Sequence, residues 1–110
     1  MTLHPHFPPQ IEGIFAALGD RTRRRILAAL IDKDQTVKEL AAPIGVTLTA
    51  LGQHIKCLEA ADLVISRKVG RARVCSINPA GMQGLEDFAR LQRSLWTSRF
   101  AALHRLLDQD

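Results

Sequence analysis

The stretch that decides the fold is TVKELAAPIGVTLTALGQHIKCLEAADLVISRKVGRARVCSI, residues 36–77. Thr36 can cap a short helix over residues 37–43, because Glu39 stands three residues later and completes the spacing of a capping box. Gly45 then supplies a tight turn, since glycine adopts the backbone conformations that tight turns require. The stretch therefore begins as a short helix followed by a turn.

A further helix follows the turn. Thr47 is its predicted cap, and the helix runs from Leu48 to about Ala61. Its apolar residues are spaced three, four and three apart, which places them on one narrow stripe and leaves the other side polar. The stripe consists of Leu48, Leu51, Ile55 and Leu58, and the outward residues are Thr49, Ala50, Gln53, His54 and Lys56.

Two β-leaning runs, residues 63–69 and 72–77, flank Gly70-Arg71 and predict a β-hairpin. Four basic residues and no acidic residue lie on it, namely Arg67, Lys68, Arg71 and Arg73. Two short helices about a glycine turn, followed by a hairpin, form the pattern of a winged helix-turn-helix. The predicted fold class is thus mainly α with a small β-hairpin.

This pattern is suited to double-stranded DNA. The polar face of a helix fits the major groove, where Gln53 can pair with adenine and Thr49 or Ala50 can touch a thymine methyl. His54 and Lys56 can reach phosphate or guanine, and a basic hairpin can follow the backbone or enter a narrow minor groove. The predicted DNA-binding residues are Thr47, Thr49, Ala50, Gln53, His54, Lys56, Arg67, Lys68, Arg71 and Arg73.

Residues 1–10 contain three prolines and are expected to form a flexible arm, and residues 11–110 a single domain. Residues 11–18 predict a first helix. Asp20 can cap a second helix that reaches Ile31, and residues 32–35 read as a polar turn. The predicted inner face of this second helix comprises Ile26, Leu27, Leu30 and Ile31.

The last helix, residues 80–107 after Asn78-Pro79, carries more apolar surface than a small domain can cover. We therefore expect a homodimer formed through the first and last helices, giving five helices in all. The predicted dimer interface consists of Ile11, Ile14, Phe15, Phe88, Leu91, Leu95, Trp96 and Leu103.

Composition agrees with a single globular domain. The chain has 110 residues, 46% of them hydrophobic and 24% charged, with a net charge of +4. The positive charge favours a polyanionic partner. No apolar run reaches the length of a membrane span, and the first ten residues lack the pattern of a signal peptide, so we expect a cytoplasmic protein without a membrane partner.

The sequence disfavours two other classes of function. A winged helix can instead serve as a protein-protein interaction module, but such modules usually lose the basic wing and the polar helix face that this chain keeps. An enzyme is not expected, because no catalytic set, P-loop or dinucleotide fingerprint is visible. The arginines that open the second helix, at positions 21, 23, 24 and 25, are equally suited to phosphate contact and to solvation, and Arg25 to pairing with an acid.

Three stretches resemble the ArsR/SmtB family of winged-helix repressors, across roughly residues 15–79. They read ALGDRTRRRIL at residues 17–27, VKELA at 37–41 and QHIKCLE at 53–59, followed by Leu63-Val64 and the wing glycine. The resemblance implies a five-helix fold dimerised through the first and last helices, and repression at an inverted-repeat operator. In that family an effector, often a metal, releases the DNA. Arg21, Gly52 and Asp62 depart from the family pattern of Pro, Ser and Gly.

The chain resembles the members of that family without an obvious metal site. Residues 39–43 have no cysteine pair, and the last helix lacks a carboxylate and histidine set, so neither a metal nor a cofactor is predicted. His4 and His6 meeting His104 of a dimer mate is a weaker alternative. Cys57 and Cys75 are expected to be buried thiols, with redox sensing as the alternative. An unknown small-molecule or redox effector thus stays open.

Overall fold

The computed structural model describes residues 8–108 and contains five helices and a three-stranded sheet. The predicted helices and hairpin are confirmed, with ends within two residues of the expected positions. The elements are α1 Pro9–Leu18, α2 Arg21–Asp32, β1 Gln35–Thr36, α3 Val37–Ile44, α4 Leu48–Ala60, β2 Val64–Val69, β3 Ala72–Ile77 and α5 Pro79–Leu107.

The helix starts are capped as the sequence predicts. The Thr36 hydroxyl accepts from the Glu39 backbone N–H at 3.1 Å, and the Glu39 carboxylate accepts from the Thr36 N–H at 2.9 Å, which completes the capping box. Gly45 ends α3 in the left-handed conformation, with φ 82°. The Thr47 hydroxyl accepts from the N–H of Ala50 at 3.1 Å and starts α4. These local contacts fix where α3 begins and ends and where α4 begins.

The sheet has one more strand than expected. Residues 35–36, part of which was predicted as a turn, form β1 and pair antiparallel with β3, opposite Cys75 and Val74. The strand order is β1-β3-β2. A two-residue strand is too short to show an alternating pattern, so only its pairing with a distant segment reveals it.

The core lies between the first four helices and the base of the hairpin. Ile26, Leu27 and Leu30 of α2 are buried as predicted, but Ile31 is 69% exposed, because it lies past the buried face in the last turn of the helix. Side chains of α5 join the core only near its beginning, through Met82, Leu85 and Phe88.

The start of α5 presses against the turn that follows α4. Asp62 occupies the left-handed region, with φ 60°, in the turn between α4 and β2. Gly81, in the first turn of α5, lies so close to this turn that a Cβ atom on it would overlap the carbonyl oxygen of Asp62. The absence of a side chain at Gly81 is therefore what lets the two elements meet.

The remainder of α5, residues 91–107, is called here the outer half of α5. Its large apolar side chains are about half exposed or more, including Trp96 at 55% and Phe100 at 62%. The ring centroids of these two residues are 5.7 Å apart. Within residues 8–108, no helix combines the length and apolar character needed to cross a membrane.

Candidate nucleic-acid interface

Helix α4, called here the reading helix, presents a polar face to solvent. Thr49, Gln53 and Lys56 are exposed on it, and Ala50 is half-buried. The hydroxyl oxygen of Thr47 accepts the cap hydrogen bond, so its O–H can still donate to a ligand beside the free amide groups of the first turn. The buried side consists of Leu51, Ile55 and Leu58, whereas Leu48 is 50% exposed.

His54 does not lie on this polar face, and the expectation that it points outward is wrong. Its side chain is 23% exposed and turns toward the junction of α1 and α2. There Nδ1 lies 3.4 Å from Nη1 of Arg23 and 3.9 Å from Oδ1 of Asp20. One helical position separates His54 from Gln53, and that rotation of about 100° carries it from the polar face to the interior side.

The β2–β3 hairpin, called here the wing, divides its basic residues between two faces. Lys68 lies opposite Arg73 in the antiparallel register, so both side chains project from the same face. Arg73 donates to the Ser66 hydroxyl at 2.8 Å, and Ser66 donates to Glu59 of the reading helix at 3.1 Å. This face of the wing therefore lies toward the reading helix. Arg71 lies at the tip of the hairpin.

Arg67 lies on the opposite face of the wing. Its Nη2 is 3.7 Å from Oδ2 of Asp34, and its Nη1 donates to the Ser76 hydroxyl at 3.2 Å. The structure thus brings Lys68 and Arg73 beside the reading helix but does not bring Arg67 with them. The hairpin register determines this division, and the run of basic residues alone could not reveal it.

Two clefts flank the reading helix. One, of about 450 Å³, separates it from the wing and is lined in part by Gly52, Lys56 and Arg73. A Cβ on Gly52 would meet no atom of the described chain within 4 Å, so this cleft is open beside the helix. The other, of about 440 Å³, is lined by Thr36, Val37, Lys38, Leu48, Arg71, Ala72 and Arg73.

Lys38 is a candidate that the sequence reasoning missed. It is exposed on the first turn of α3 and lines the second cleft with Arg71 and Arg73. The capping box predicts a helix start, and the same start places Lys38, two positions after Thr36, toward the wing. Three cations thus surround one concave surface, which suits a phosphate group.

The arginines of α2 serve other helices. Arg24 donates to the carbonyl of Leu18 at 2.7 Å, at the end of α1, and Arg25 donates to the carbonyl of Ile44 at 3.2 Å, at the end of α3. Cations are favourable at helix C-termini, where carbonyl groups lack partners. This explains basic residues at a helix start that they would otherwise destabilise, and Arg25 contacts a carbonyl rather than an acid.

The two cysteines differ. Cys75 is buried in β3, and burial, followed by the nearby Glu59 carboxylate, raises the pKa of its thiol. Cys57 is exposed on the reading helix, so the expectation that it is buried is wrong. Among residues 8–108, no three His, Cys, Asp or Glu side chains are grouped to hold a metal ion. The alternative involving His4 and His6 falls outside the described residues.

The predicted dimer residues fall into two groups. Leu91, Leu95, Trp96 and Leu103 are 47–57% exposed, and Phe15 is 43% exposed with its ring edge-on to Phe88 at 5.8 Å. By contrast Ile11 and Ile14 are 5% and 0% exposed. They pack into the protomer's own core, so their assignment to an intermolecular surface is corrected.

Known proteins share this arrangement. Residues 18–67 match a helix-turn-helix domain family. The HTH-type transcriptional regulator Rv2034 of Mycobacterium tuberculosis is 36% identical over 95 residues, covering 86% of this chain and 85% of that protein. An ArsR-like transcriptional regulator from Rhodococcus sp. RHA1 superposes with a TM-score of 0.80 at 31% identity, over 92% of this chain and 95% of that one.

A third similar protein is Mb0332 of Mycobacterium bovis, described as a homodimeric winged helix-turn-helix DNA-binding domain and a possible ArsR-family regulator. It superposes with a TM-score of 0.62 at 25% identity, over 87% of this chain and 83% of that one. The extent of the match to Rv2034, the shared fold and the ArsR-type neighbours agree. The chain belongs to the ArsR/SmtB family of winged helix-turn-helix transcriptional regulators.

Proposed function

We propose that this protein is a homodimeric transcriptional repressor that binds an inverted-repeat operator in double-stranded DNA. The observation that carries the proposal is the exposure of Gln53 and Lys56 on one face of the reading helix, beside a wing face that carries Lys68 and Arg73. In this proposal the protein acts in the cytoplasm, and bound protein prevents transcription by occupying the operator.

The reading helix has the dimensions of a groove-binding element. Its 13 residues make it about 20 Å long, and the B-DNA major groove is roughly 12 Å wide. Gln53 would read an adenine through two hydrogen bonds, while Thr49 and Ala50 would contact a thymine methyl. The wing and Lys38 would bind phosphates, which adds affinity and no sequence preference.

A homodimer supplies the second half of the recognition. The outer half of α5 exposes apolar side chains that a second copy would cover, and the similar Mycobacterium bovis domain is described as homodimeric. Two-fold symmetry would place two reading helices in successive major grooves, about 34 Å apart. We therefore expect an operator with two inverted half-sites separated by one turn of DNA.

Selection of DNA sequences by the purified full-length protein tests this function. We expect an inverted repeat to be enriched, and Gln53→Ala to weaken binding to it by about 1–3 kcal/mol and to relax preference at one base pair of each half-site. Failure to enrich any sequence would contradict sequence-specific binding. Equal losses of Gln53→Ala on selected and random duplexes would contradict its role as a base reader.

The two faces of the wing offer a matched comparison. Arg71→Ala should weaken binding to all duplexes similarly and reduce the slope of log affinity against log salt by about one, because one phosphate contact is lost. Arg67→Ala removes the same charge from the face paired with Asp34 and should have the smaller effect. If Arg67→Ala instead reduced the slope as much as Arg71→Ala, the wing would be oriented differently on DNA.

A further inference from the structure

The guanidinium of Arg23 joins three helices at one point. It extends from the first turn of α2, where Nε donates to the carbonyl of Ala17 at 2.6 Å and Nη2 to that of Ala16 at 3.3 Å. Its Nη1 lies 3.4 Å from Nδ1 of His54 on the reading helix. Because the guanidinium is planar and carries its donors in a fixed fork, contacts on one edge determine where the other edge points.

The direction of this contact follows from the donors available. An arginine has no acceptor, so in a hydrogen bond between the two side chains Arg23 donates and Nδ1 of His54 accepts, with the ring proton on Nε2. Asp20 adds a carboxylate oxygen at 3.9 Å from Nδ1. That same oxygen caps α2 by accepting from the backbone N–H of Arg23 at 3.0 Å. Both the backbone and the side chain of Arg23 therefore take part in this junction.

The elements that meet here have different roles in the proposed function. Helix α1 packs against α5 through Phe15 and Phe88, and α5 carries the surface assigned to the second copy. The reading helix carries Gln53, which directly precedes His54 in the sequence. The contacts of Arg23 therefore connect α1, the helix that packs against α5, to the helix that carries the base-reading residue.

We propose that Arg23 and His54 form a positioning pair, which holds the reading helix against the end of α1 and sets operator affinity without touching DNA. This inference rests on the proposed function, since it concerns how the reading helix is presented. The side chain of His54 is used inside the protomer, so its effect on DNA binding comes through the orientation of the helix. Gln53 makes the contact with the base.

Substitutions at His54 separate positioning from direct contact. In His54→Asn the side-chain oxygen replaces Nδ1 as the acceptor, whereas His54→Leu keeps an apolar volume and offers none. We expect the leucine variant to bind the selected operator roughly three- to tenfold more weakly, the size of one net hydrogen bond, and the asparagine variant to recover most of the loss. Leucine is the better helix former, so a loss of helix stability would predict the opposite order.

Three readouts on the full-length protein complete the test. The salt slope and base preference of His54→Leu should equal those of the wild type, since no DNA contact is lost. The combination of Arg23→Gln with His54→Leu should bind about as well as Arg23→Gln alone, because Arg23→Gln already removes the contact with His54 together with the bonds to Ala16 and Ala17. Nitrogen NMR of the wild type should show Nδ1 of His54 as the acceptor nitrogen of the ring, and Arg23→Gln should shift the Nδ1 signal.

Additive effects of the two substitutions, a salt slope altered by about one, or failure of His54→Asn to recover affinity would each overturn the positioning pair. These outcomes are distinguishable from failure of the proposed function, because they require a wild-type protein that binds its selected operator. A wild type that binds no duplex would overturn both.

Discussion

Residues 20–77 and the outer half of α5 contain similar apolar side chains but differ in how far these side chains are buried. In the first region Leu51, Leu58 and Leu63 are completely buried, whereas Trp96 and Phe100 in the second are more than half exposed. The first region caps its own helices and buries these side chains within the protomer, in a core completed by α1 and the start of α5. The outer half of α5 has the same chemistry, but no element of the described protomer covers it, and this exposure is what supports the proposed second copy.

The largest expected effect lies in the outer half of α5. Leu103→Glu places a carboxylate in the apolar surface, and burying an unpaired charge costs several kcal/mol, so the dimer should dissociate. Loss of two-site binding should weaken operator affinity by about 10²- to 10⁴-fold. Sedimentation measures the oligomeric state, and a fluorescence titration with operator DNA measures the affinity.

Ala101→Glu is the matched control for this variant. It adds the same carboxylate two residues away, on the far side of the helix from Leu103. We expect the control to remain dimeric and to bind DNA as the wild type does. A dimeric Leu103→Glu, or a monomeric Ala101→Glu, would show that the second copy covers a different face of α5.

A smaller effect, on stability rather than assembly, is expected in the reading helix. Leu51→Ala removes a completely buried side chain and should lower the free energy of unfolding by about 2–5 kcal/mol. Leu48→Ala makes the same chemical change at a half-exposed position and should cost less. Denaturant unfolding measures both variants, and equal losses would mean that Leu48 is covered in the folded dimer.

The smallest effect concerns acid stability at the capping box. Hydrogen bonds from Thr36 hold the pKa of Glu39 below its ordinary value of 4.5. A carboxyl group with a lowered folded-state pKa stabilises the fold above its ordinary pKa, and this contribution is lost as the pH falls through the folded-state value. Stability should therefore decline below pH 4.5, and less steeply in Glu39→Gln, which keeps an acceptor but has no charge.

Glu86→Gln is the control for the acid measurement, because Glu86 is an exposed carboxylate about two turns into α5, outside any cap. Its unfolding profile against pH should match that of the wild type. A Glu39→Gln profile as steep as the wild type would assign the acid sensitivity to another carboxyl, with Asp20 the first to examine, since the Arg23 backbone N–H lowers its pKa.

Elements governed by neighbouring residues could be predicted from the sequence, and elements governed by distant contacts could not. Thr36, Gly45 and Thr47 mark helix starts and turns through bonds that span at most four residues, so α3 and α4 follow directly. The short strand β1 depends on pairing with residues about 40 positions later. The direction of His54 depends on Arg23, which is 31 positions away.

The candidate site divides in the same way. Helical spacing was sufficient to place Gln53 and Lys56 on the polar face, because one side of the helix is filled by large apolar residues. Spacing could not show that Arg67 and Arg73 lie on opposite faces of the wing, since this requires the register of β2 against β3. Lys38 was missed because its importance comes from a cleft shared by two separate elements.

The close approach at Gly81 would affect the length of DNA that the proposed dimer reads. In the first turn of α5, only a hydrogen atom of Gly81 faces the Asp62 carbonyl. A methyl group at this position would push the start of the helix away from the turn after α4. A small tilt of α5 at its first turn becomes a displacement of several ångströms at the far end of the helix, which is about 44 Å long. In the proposed dimer, the spacing of the operator half-sites would therefore depend on the absence of a side chain at Gly81.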